Sequence, residues 1–273
     1  MENALYLVAT PIGNLNDISK RAIEVLKSVD LIACEDTRTS QKLFNHFEIT
    51  NKTVAFHKHN TSKMTDEILE LITDGNSVAL ISDAGMPCIS DPGQHLVNEA
   101  NKRDIPVYVI PGPSALVCAF AASGFEYKKF SFFGFLENEN TKRREELEMI
   151  KNSNLPIILY IAPHKMISTL KELQDKIDDR QIFIIKEITK IHEKSMITTA
   201  KKAIDFYDKN LPKGEYVMVI EPKKETVNYD FDKLSELTKD IKNTGIPLSA
   251  ACKIVSKHFG VKKNKLYDEL KDD

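Results

Sequence analysis

Short apolar runs recur through the first 110 residues, each followed by a turn of Pro, Gly, Asp or Asn and then by apolar residues at helical spacing. Ala4 to Ala9, Leu31 to Cys34, Thr53 to Phe56, Val78 to Ile81 and Val107 to Ile110 are the predicted strands. Ile18 to Val29, Met64 to Thr73 and Gln94 to Arg103 are the predicted helices. Strands that alternate with helices build a parallel sheet, and a run apolar at every position, such as Val78-Ala79-Leu80-Ile81, suits a strand buried on both faces. The pattern restarts around Gly124. Phe130 to Phe135, Leu155 to Ile161, Arg180 to Ile188 and Glu215 to Glu221 are strands, separated by helices over 139–151, 164–176 and 199–209. Residues 223–233 are charged and weakly apolar, as in a linker. Beyond them Leu248, Ala251, Cys252, Val255 and Phe259 form a helical stripe that Gly260 ends, and Leu266 and Leu270 continue on a second helix. Two such short helices need a third to bury their stripes, which places one near Leu234 to Ile241.

The organisation that follows is an α/β domain over 1–113, a second over 114–224, and a linker with a helical, helix-turn-helix-like appendage over 225–273. Composition changes this little. With 42% apolar and 29% charged residues the chain is globular, and 38 basic against 40 acidic residues give no global field of the kind that marks a nucleic-acid binder, so any basic patch is local. The cysteines Cys34, Cys88, Cys118 and Cys252 are far apart and read as reduced structural thiols. The start lacks a basic segment leading into an apolar one, and the longest apolar run, Ala115 to Ala122, is too short to span a bilayer; a soluble, cytoplasmic protein without membrane contact is expected.

Candidate chemistry gathers at predicted strand ends. Asp83 follows the buried strand directly, and Gly85, Pro87, Pro92 and Gly93 shape the loop after it, which suits backbone approach to a small molecule; an ordinary strand-to-helix turn is the other reading. The loop Thr10-Pro11-Ile12-Gly13-Asn14-Leu15 has one glycine where a dinucleotide fingerprint needs three. Glu35-Asp36-Thr37-Arg38 brings two carboxylates and a guanidinium to the same sheet edge, or else supplies an acidic helix start. His57 and His59 are two apart, with no third ligand nearby, so a polar loop is expected and no metal. In the second half Glu187, Lys190 and Glu193 face a cleft or belong to a wet edge strand. From Lys253 to Lys265 there are five lysines and no carboxylate, either a phosphate-binding face or a solvated one.

Taken together, Thr10-Pro11-Ile12-Gly13-Asn14-Leu15, Ala33-Cys34-Glu35-Asp36-Thr37-Arg38, Ser82-Asp83-Ala84-Gly85-Met86-Pro87, Ser90-Asp91-Pro92-Gly93 and Pro111-Gly112-Pro113-Ser114-Ala115 resemble the ribosomal small-subunit RNA methyltransferase I family of the tetrapyrrole methylase superfamily. Ala162-Pro163-His164, Glu187-Ile188-Thr189-Lys190-Ile191-His192-Glu193 and Lys213-Gly214-Glu215-Tyr216 extend the likeness, which covers nearly the whole chain. The resemblance implies two α/β domains with S-adenosylmethionine in the cleft between them, a homodimer, and 2′-O-methylation of a cytidine in the decoding region of small-subunit (16S) RNA. It also implies a donor site made by Pro11, Gly13, Ser82, Asp83, Ala84, Met86, Ser114, Ala115, Tyr160 and Ala162. Glu35, Asp36, Arg38, Glu187 and Lys190 are then the polar candidates for the RNA side, where a base for the hydroxyl proton is to be sought. Methyl transfer from a sulfonium is an in-line displacement and demands no metal. The chain departs from the family's habit at Ile161, where an acidic residue is frequent, and at Lys165, where Arg is. A tetrapyrrole or diphthine-type methyltransferase on the same fold and a non-catalytic ribosome-associated nucleotide-binding module are the alternatives. The Glu-Asp-Thr-Arg motif and the lysine-rich tail speak against the first, and transfer of label from S-adenosylmethionine separates all three.

Overall fold

The computed structural model describes residues 1–58, 60–223 and 230–271. His59 and most of the expected linker, residues 224–229, lie outside the described residues. The chain divides into two compact units, Met1–Lys223 and Lys224–Asp273.

The first unit begins with β1 (Leu5–Val8), α1 (Lys20–Ser28), β2 (Leu31–Cys34), α2 (Thr37–Phe47), β3 (Lys52–Ala55), α3 (Thr61–Thr73), β4 (Val78–Ile81), α4 (Gln94–Lys102) and β5 (Val107–Ile110). All five strands are parallel, in the order β3-β2-β4-β1-β5. The chain steps outward from β1 to β3, then returns through β4 and crosses β1 to β5, so the strand order reverses beside β1 and β4. Ligand crevices in open α/β sheets open at the carboxyl ends of strands at such a point. The opposite directions of crossover also put helices on both faces. Tyr6 and Val8 pack with Ala22 and Leu26 of α1 and Leu43 and Phe44 of α2, while Leu5 and Leu7 pack with Ile68 and Leu69 of α3 and Leu96 of α4. This two-sided burial is the reason β1 and β4 are apolar at every position.

Next come α5 (Ala115–Ser123), β6 (Ser131–Gly134), α6 (Asn140–Asn152), β7 (Ile157–Ile161), α7 (Met166–Ile177), β8 (Ile182–Lys186), β9 (Lys194–Thr198), α8 (Ala200–Lys209) and β10 (Tyr216–Ile220). Their sheet runs β6-β7-β10-β8-β9 and is mixed: β6 and β7 are parallel, and the other three pairings are antiparallel. One face carries Ile157, Leu159, Ile184 and Met218 against α6, α7 and α8; the other carries Ile158, Phe183, Val217 and Val219 against Ala119 of α5. Three elements depart from the apolar pattern. Helix α2 has too few apolar positions to announce itself. Helix α5 is apolar nearly all round and shows no stripe. Strand β9 is an exposed edge, so Glu187, Lys190 and Glu193 lie in the hairpin loop between β8 and β9 rather than on an edge strand.

The second unit consists of α9 (Phe231–Asn243), α10 (Leu248–Phe259) and α11 (Lys263–Leu270), packed around Leu234, Cys252, Val255 and Leu266. Gly260 takes φ +68° and ends α10, a left-handed conformation that a side chain would strain. Lys253, Lys257 and Lys262 are exposed as expected. Two other lysines have partners within the unit: Lys263 Nζ donates to Ser249 Oγ at 3.0 Å, and the Lys265 ammonium lies 4.5 Å from the Phe231 ring centroid. Among the described residues no helix is long and apolar enough to cross a membrane.

Candidate active site

The loops after β1, β2 and β4 are tied to one another at the carboxyl edge of the parallel sheet. The Thr10 N–H donates to Gly85 O at 2.8 Å, the Gly85 N–H returns a bond to Thr10 O at 3.1 Å, and Thr10 Oγ1 donates to Ser82 O at 3.1 Å. Thr10 and Ser82 are both buried, so these bonds form away from water and fix the two loops together. Gly85 has φ +81°, and a Cβ there would lie 3.3 Å from Ile12 Cγ2, so glycine is what lets the loops approach. On the other side the Asp36 N–H donates to Asp83 Oδ1 at 3.1 Å.

These loops and the near edge of the mixed sheet enclose a cavity of about 450 Å³. Of the sequence candidates, Glu35, Asp83, Ala84 and Met86 line it from the parallel sheet. Ser114 and Ala115 line it at the start of α5, and Tyr160 and Ala162 at the end of β7. Pro11, Gly13 and Ser82 do not line it. Sequence reasoning passed over Ile89, Asp91, Phe135, Ile188 and Glu215, which also line the cavity. Asp91 had a signal: it is a second aspartate in the same turn-rich loop as Asp83. Phe135 had none, because only the fold brings it to Tyr160, at 5.5 Å between ring centroids.

Three carboxylates set the field of the cavity. Burial raises the carboxyl of Glu35, with Asp91 and Asp83 adding repulsion. Burial likewise raises Asp83, and raises Asp91, where a Ser82 hydrogen bond and Lys58 pull in the opposite direction. Tyr160 is pushed up to about 12, chiefly by burial, with a backbone hydrogen bond at Leu116 opposing the shift. An apolar, aromatic wall facing several partly buried carboxylates is suited to a ligand with both a flat apolar part and positive charge. Among the described residues no group of three or more His, Cys, Asp or Glu side chains is arranged to hold a metal ion.

Asp36 and Arg38 are placed differently from Glu35. Asp36 is the N-cap of α2: its Oδ1 accepts the Arg38 N–H at 2.8 Å, and its carboxylate holds the Arg38 guanidinium through Nε at 3.2 Å and Nη2 at 2.8 Å. Those hydrogen bonds hold the Asp36 carboxyl down at about 2. Neither residue lines the cavity, so within the Glu-Asp-Thr-Arg motif one acid faces the cavity and the other starts the helix.

At the opposite rim the β8–β9 loop carries strained backbone, with φ +56° at Glu187 and +68° at Thr189. Glu187 Oε1 accepts the Glu215 N–H at 2.8 Å and Lys190 Nζ at 3.1 Å, and Lys190 Nζ also donates to Glu215 Oε2 at 2.8 Å. The Glu215 amide holds the Glu187 carboxyl below its ordinary range, and the two carboxylates keep the Lys190 ammonium above its own despite burial. Glu187 and Lys190 therefore brace Glu215, which lines the cavity, and do not line it themselves.

The pattern of the Tetrapyrrole (Corrin/Porphyrin) Methylases matches residues 4–204. A Ribosomal RNA small subunit methyltransferase I of Synechocystis is 39% identical over 96% of this chain and 95% of its own length, and one of Halalkalibacterium halodurans is 39% identical over 98% and 94%. The chain belongs to this methyltransferase family. A member from Thermotoga maritima is 43% identical over 219 residues, 80% of this chain and 98% of the relative, so that relative is about 223 residues long and shorter than this chain by about the length of the helical unit. Among solved structures, the methyltransferase CobJ superposes with a TM-score of 0.63 at 14% identity, covering 81% of this chain and 94% of that one, and a diphthine synthase with 0.60 at 13%, covering 80% and 90%; these likenesses establish the fold. Ile161 contributes apolar wall, and Glu35, Asp83, Asp91 and Glu215 are the acids that line the cavity.

Proposed function

We propose that this chain transfers the methyl group of S-adenosylmethionine to small-subunit ribosomal RNA, at the ribose 2′ oxygen of a cytidine in the decoding region. The observation that carries the reading is the cavity at the carboxyl edge of the parallel sheet, in a chain whose curated relatives are named for methyl transfer to small-subunit ribosomal RNA. The residues fit the donor. Its adenine suits the apolar wall of Ile12, Met86 and Tyr160, its sulfonium and ammonium suit Glu35, Asp83 and Asp91, and the backbone from Ala84 to Met86 and at Ser114–Ala115 offers hydrogen-bonding groups. When bound, the donor supplies an electrophilic methyl for in-line displacement. The chain's own work is to hold the acceptor oxygen in line, to exclude water, and to accept the hydroxyl proton; Glu35 and Asp91 are the carboxylates in place for that last task.

A division of residues 1–224 into domains 1–113 and 114–224 belongs to this reading, supported by separate cores on each sheet and by α5 packing on the second. So does a homodimer. Val109 on edge strand β5 and Val117 on α5 are 53% and 54% exposed, surface that a second copy would cover; sedimentation of the parent and of Val109→Lys reads it.

The deciding experiment incubates the protein with tritiated S-adenosylmethionine and small subunits that lack the modification, then maps ribose methylation. Label in a decoding-region cytidine is expected. Label in a tetrapyrrole or a diphthamide precursor supports the alternative enzyme, and donor binding without transfer supports a non-catalytic module.

A further inference from the structure

A second cavity, of about 410 Å³, opens beside the first and shares a wall with it, the segment Ile89-Ser90-Asp91. Its remaining lining comes from two places: Lys58 and Thr61 around the start of α3, and Pro92 to His95 at the start of α4. The shared wall is held firmly. Cys88 takes φ +71°, Gly93 takes φ +135°, and a Cβ on Gly93 would lie 2.5 Å from Cys88 Sγ and 2.7 Å from Leu80 Cδ2, so nothing but glycine closes the loop there. Gln94 Nε2 donates to Cys88 O at 2.9 Å and pins the same turn.

Charge distinguishes the two cavities. The first is ringed by carboxylates, which repel a polyanion. Lys58 is the cation whose field acts on both Glu35 and Asp91, and it stands on the second cavity. Lys58 and His95 are exposed at its rim, and Lys58 acts on Glu35 and Asp91 through its field, with no ion pair to either among the described residues. Arg38, the other cation near Glu35, is occupied by Asp36, and Lys190 by Glu187 and Glu215. An RNA strand that brings a ribose to Glu35 and Asp91 must place its neighbouring phosphates a few ångströms away. The second cavity offers them the Lys58 ammonium and the His95 imidazole, with the first-turn amides of α3 and α4 on the same side.

We propose that this second cavity is the acceptor-strand subsite: Lys58, Thr61, Gln94 and His95 receive a backbone phosphate of the RNA, and the wall Ile89–Asp91 sets the adjoining ribose at the mouth of the donor cavity. The inference rests on the proposed activity and adds the place where the polyanion is held.

The test uses the full chain with Lys58→Gln, His95→Gln, the double substitution, and Lys58→Arg. Three quantities are measured: the KM for unmodified small subunits, its dependence on salt, and the affinity for S-adenosylmethionine by calorimetry. The double variant should raise KM by about tenfold or more and reduce the salt slope, as expected for lost charge-assisted phosphate contacts, with donor affinity and melting temperature unchanged. Lys58→Arg should keep KM close to that of the parent. An unchanged KM and salt slope in the double variant overturns the subsite, as does a loss confined to donor affinity, which would assign the cavity to the donor. Failure of the parent to label small subunits at all is a different result and removes the activity on which the inference rests.

Discussion

Gly13 and Lys190 are in contact across the cavity's rim, so close that a Cβ on Gly13 would lie 2.6 Å from Lys190 Cγ and 2.8 Å from its Cε. The loop after β1 in one sheet thus touches the loop after β8 in the other. Lys190 cannot swing aside freely, because Nζ is held by Glu187 and Glu215. Gly13→Ala should therefore destabilise by ~1–3 kcal/mol, as overpacking does, and lower methyl transfer. Adding Lys190→Ala should restore part of the stability. Thermal melts of both single variants and the double give the coupling, and strictly additive losses would refute the contact.

Glu35 and Asp36 are adjacent in sequence and should behave differently. Glu35→Gln removes a carboxylate from the cavity and should lower kcat by far more than it weakens donor binding. Asp36→Asn keeps a side chain able to cap α2 but loses the pairing with Arg38, so it should lower the melting temperature slightly and leave transfer nearly intact. Single-turnover rates beside melting curves separate the two; equal kinetic losses would place both acids in the reacting cleft.

Asp83 has two jobs that substitution can separate. Asp83→Asn keeps an acceptor for the Asp36 N–H but loses the charge, so a fall of about tenfold in S-adenosylmethionine affinity reads the electrostatic part alone. Asp83→Ala also releases the loop after β2 and should lose more. Calorimetry showing unchanged affinity for the Asn variant would remove Asp83 from the donor's charge recognition.

Glu35, Asp83 and Asp91 are all held above their ordinary values, mainly by burial, so the folded chain binds their protons more tightly than the unfolded chain. Their contribution to stability is present below the ordinary carboxylate range, about 4, and is lost as pH rises through the raised values. A cationic ligand favours the ionised forms. Donor binding at about pH 5 should therefore release protons, and at about pH 8 should not. Calorimetry in two buffers of different ionisation heat measures this, and no release at the lower pH would contradict a cation seated among these carboxylates.

Of the five lysines between 253 and 265, Lys263 and Lys265 hold their own unit together through Ser249 and Phe231. Changing Lys253, Lys257 and Lys262 to Gln should raise the KM for small subunits and flatten its salt dependence without altering the fold. The same change at Lys263 and Lys265 should lower stability. If the first set binds subunits as tightly as the parent, with the same salt slope, that face is merely solvated.

The apolar pattern located most elements of this fold because two-sided burial leaves a strong imprint: Val78 to Ile81 is apolar at all four positions because helices cover both faces of β4. The imprint vanished where burial was one-sided or absent. The edge strand β9, Lys194–Thr198, carries exposed Lys194, Ser195 and Ile197 and so has no apolar run to find. Helix α5 was missed for the opposite reason, since Ala115–Ser123 offers no polar face. Site residues followed the same logic. Asp83 was visible because it ends a recognisable strand, whereas Phe135 and Glu215 reach the cavity only through the mixed order of the second sheet.

The chain passes from the parallel sheet to the mixed one through Pro111-Gly112-Pro113, between β5 and the start of α5, and a Cβ on Gly112 would lie 2.9 Å from Ala9 Cβ. Two prolines fix φ on either side of a glycine wedged against the loop after β1, and each restricts the residue before it. A tether of this kind is a strut rather than a hinge. The spacing of the two sheets, and with it the width of the cavity they flank, is then set when the chain folds.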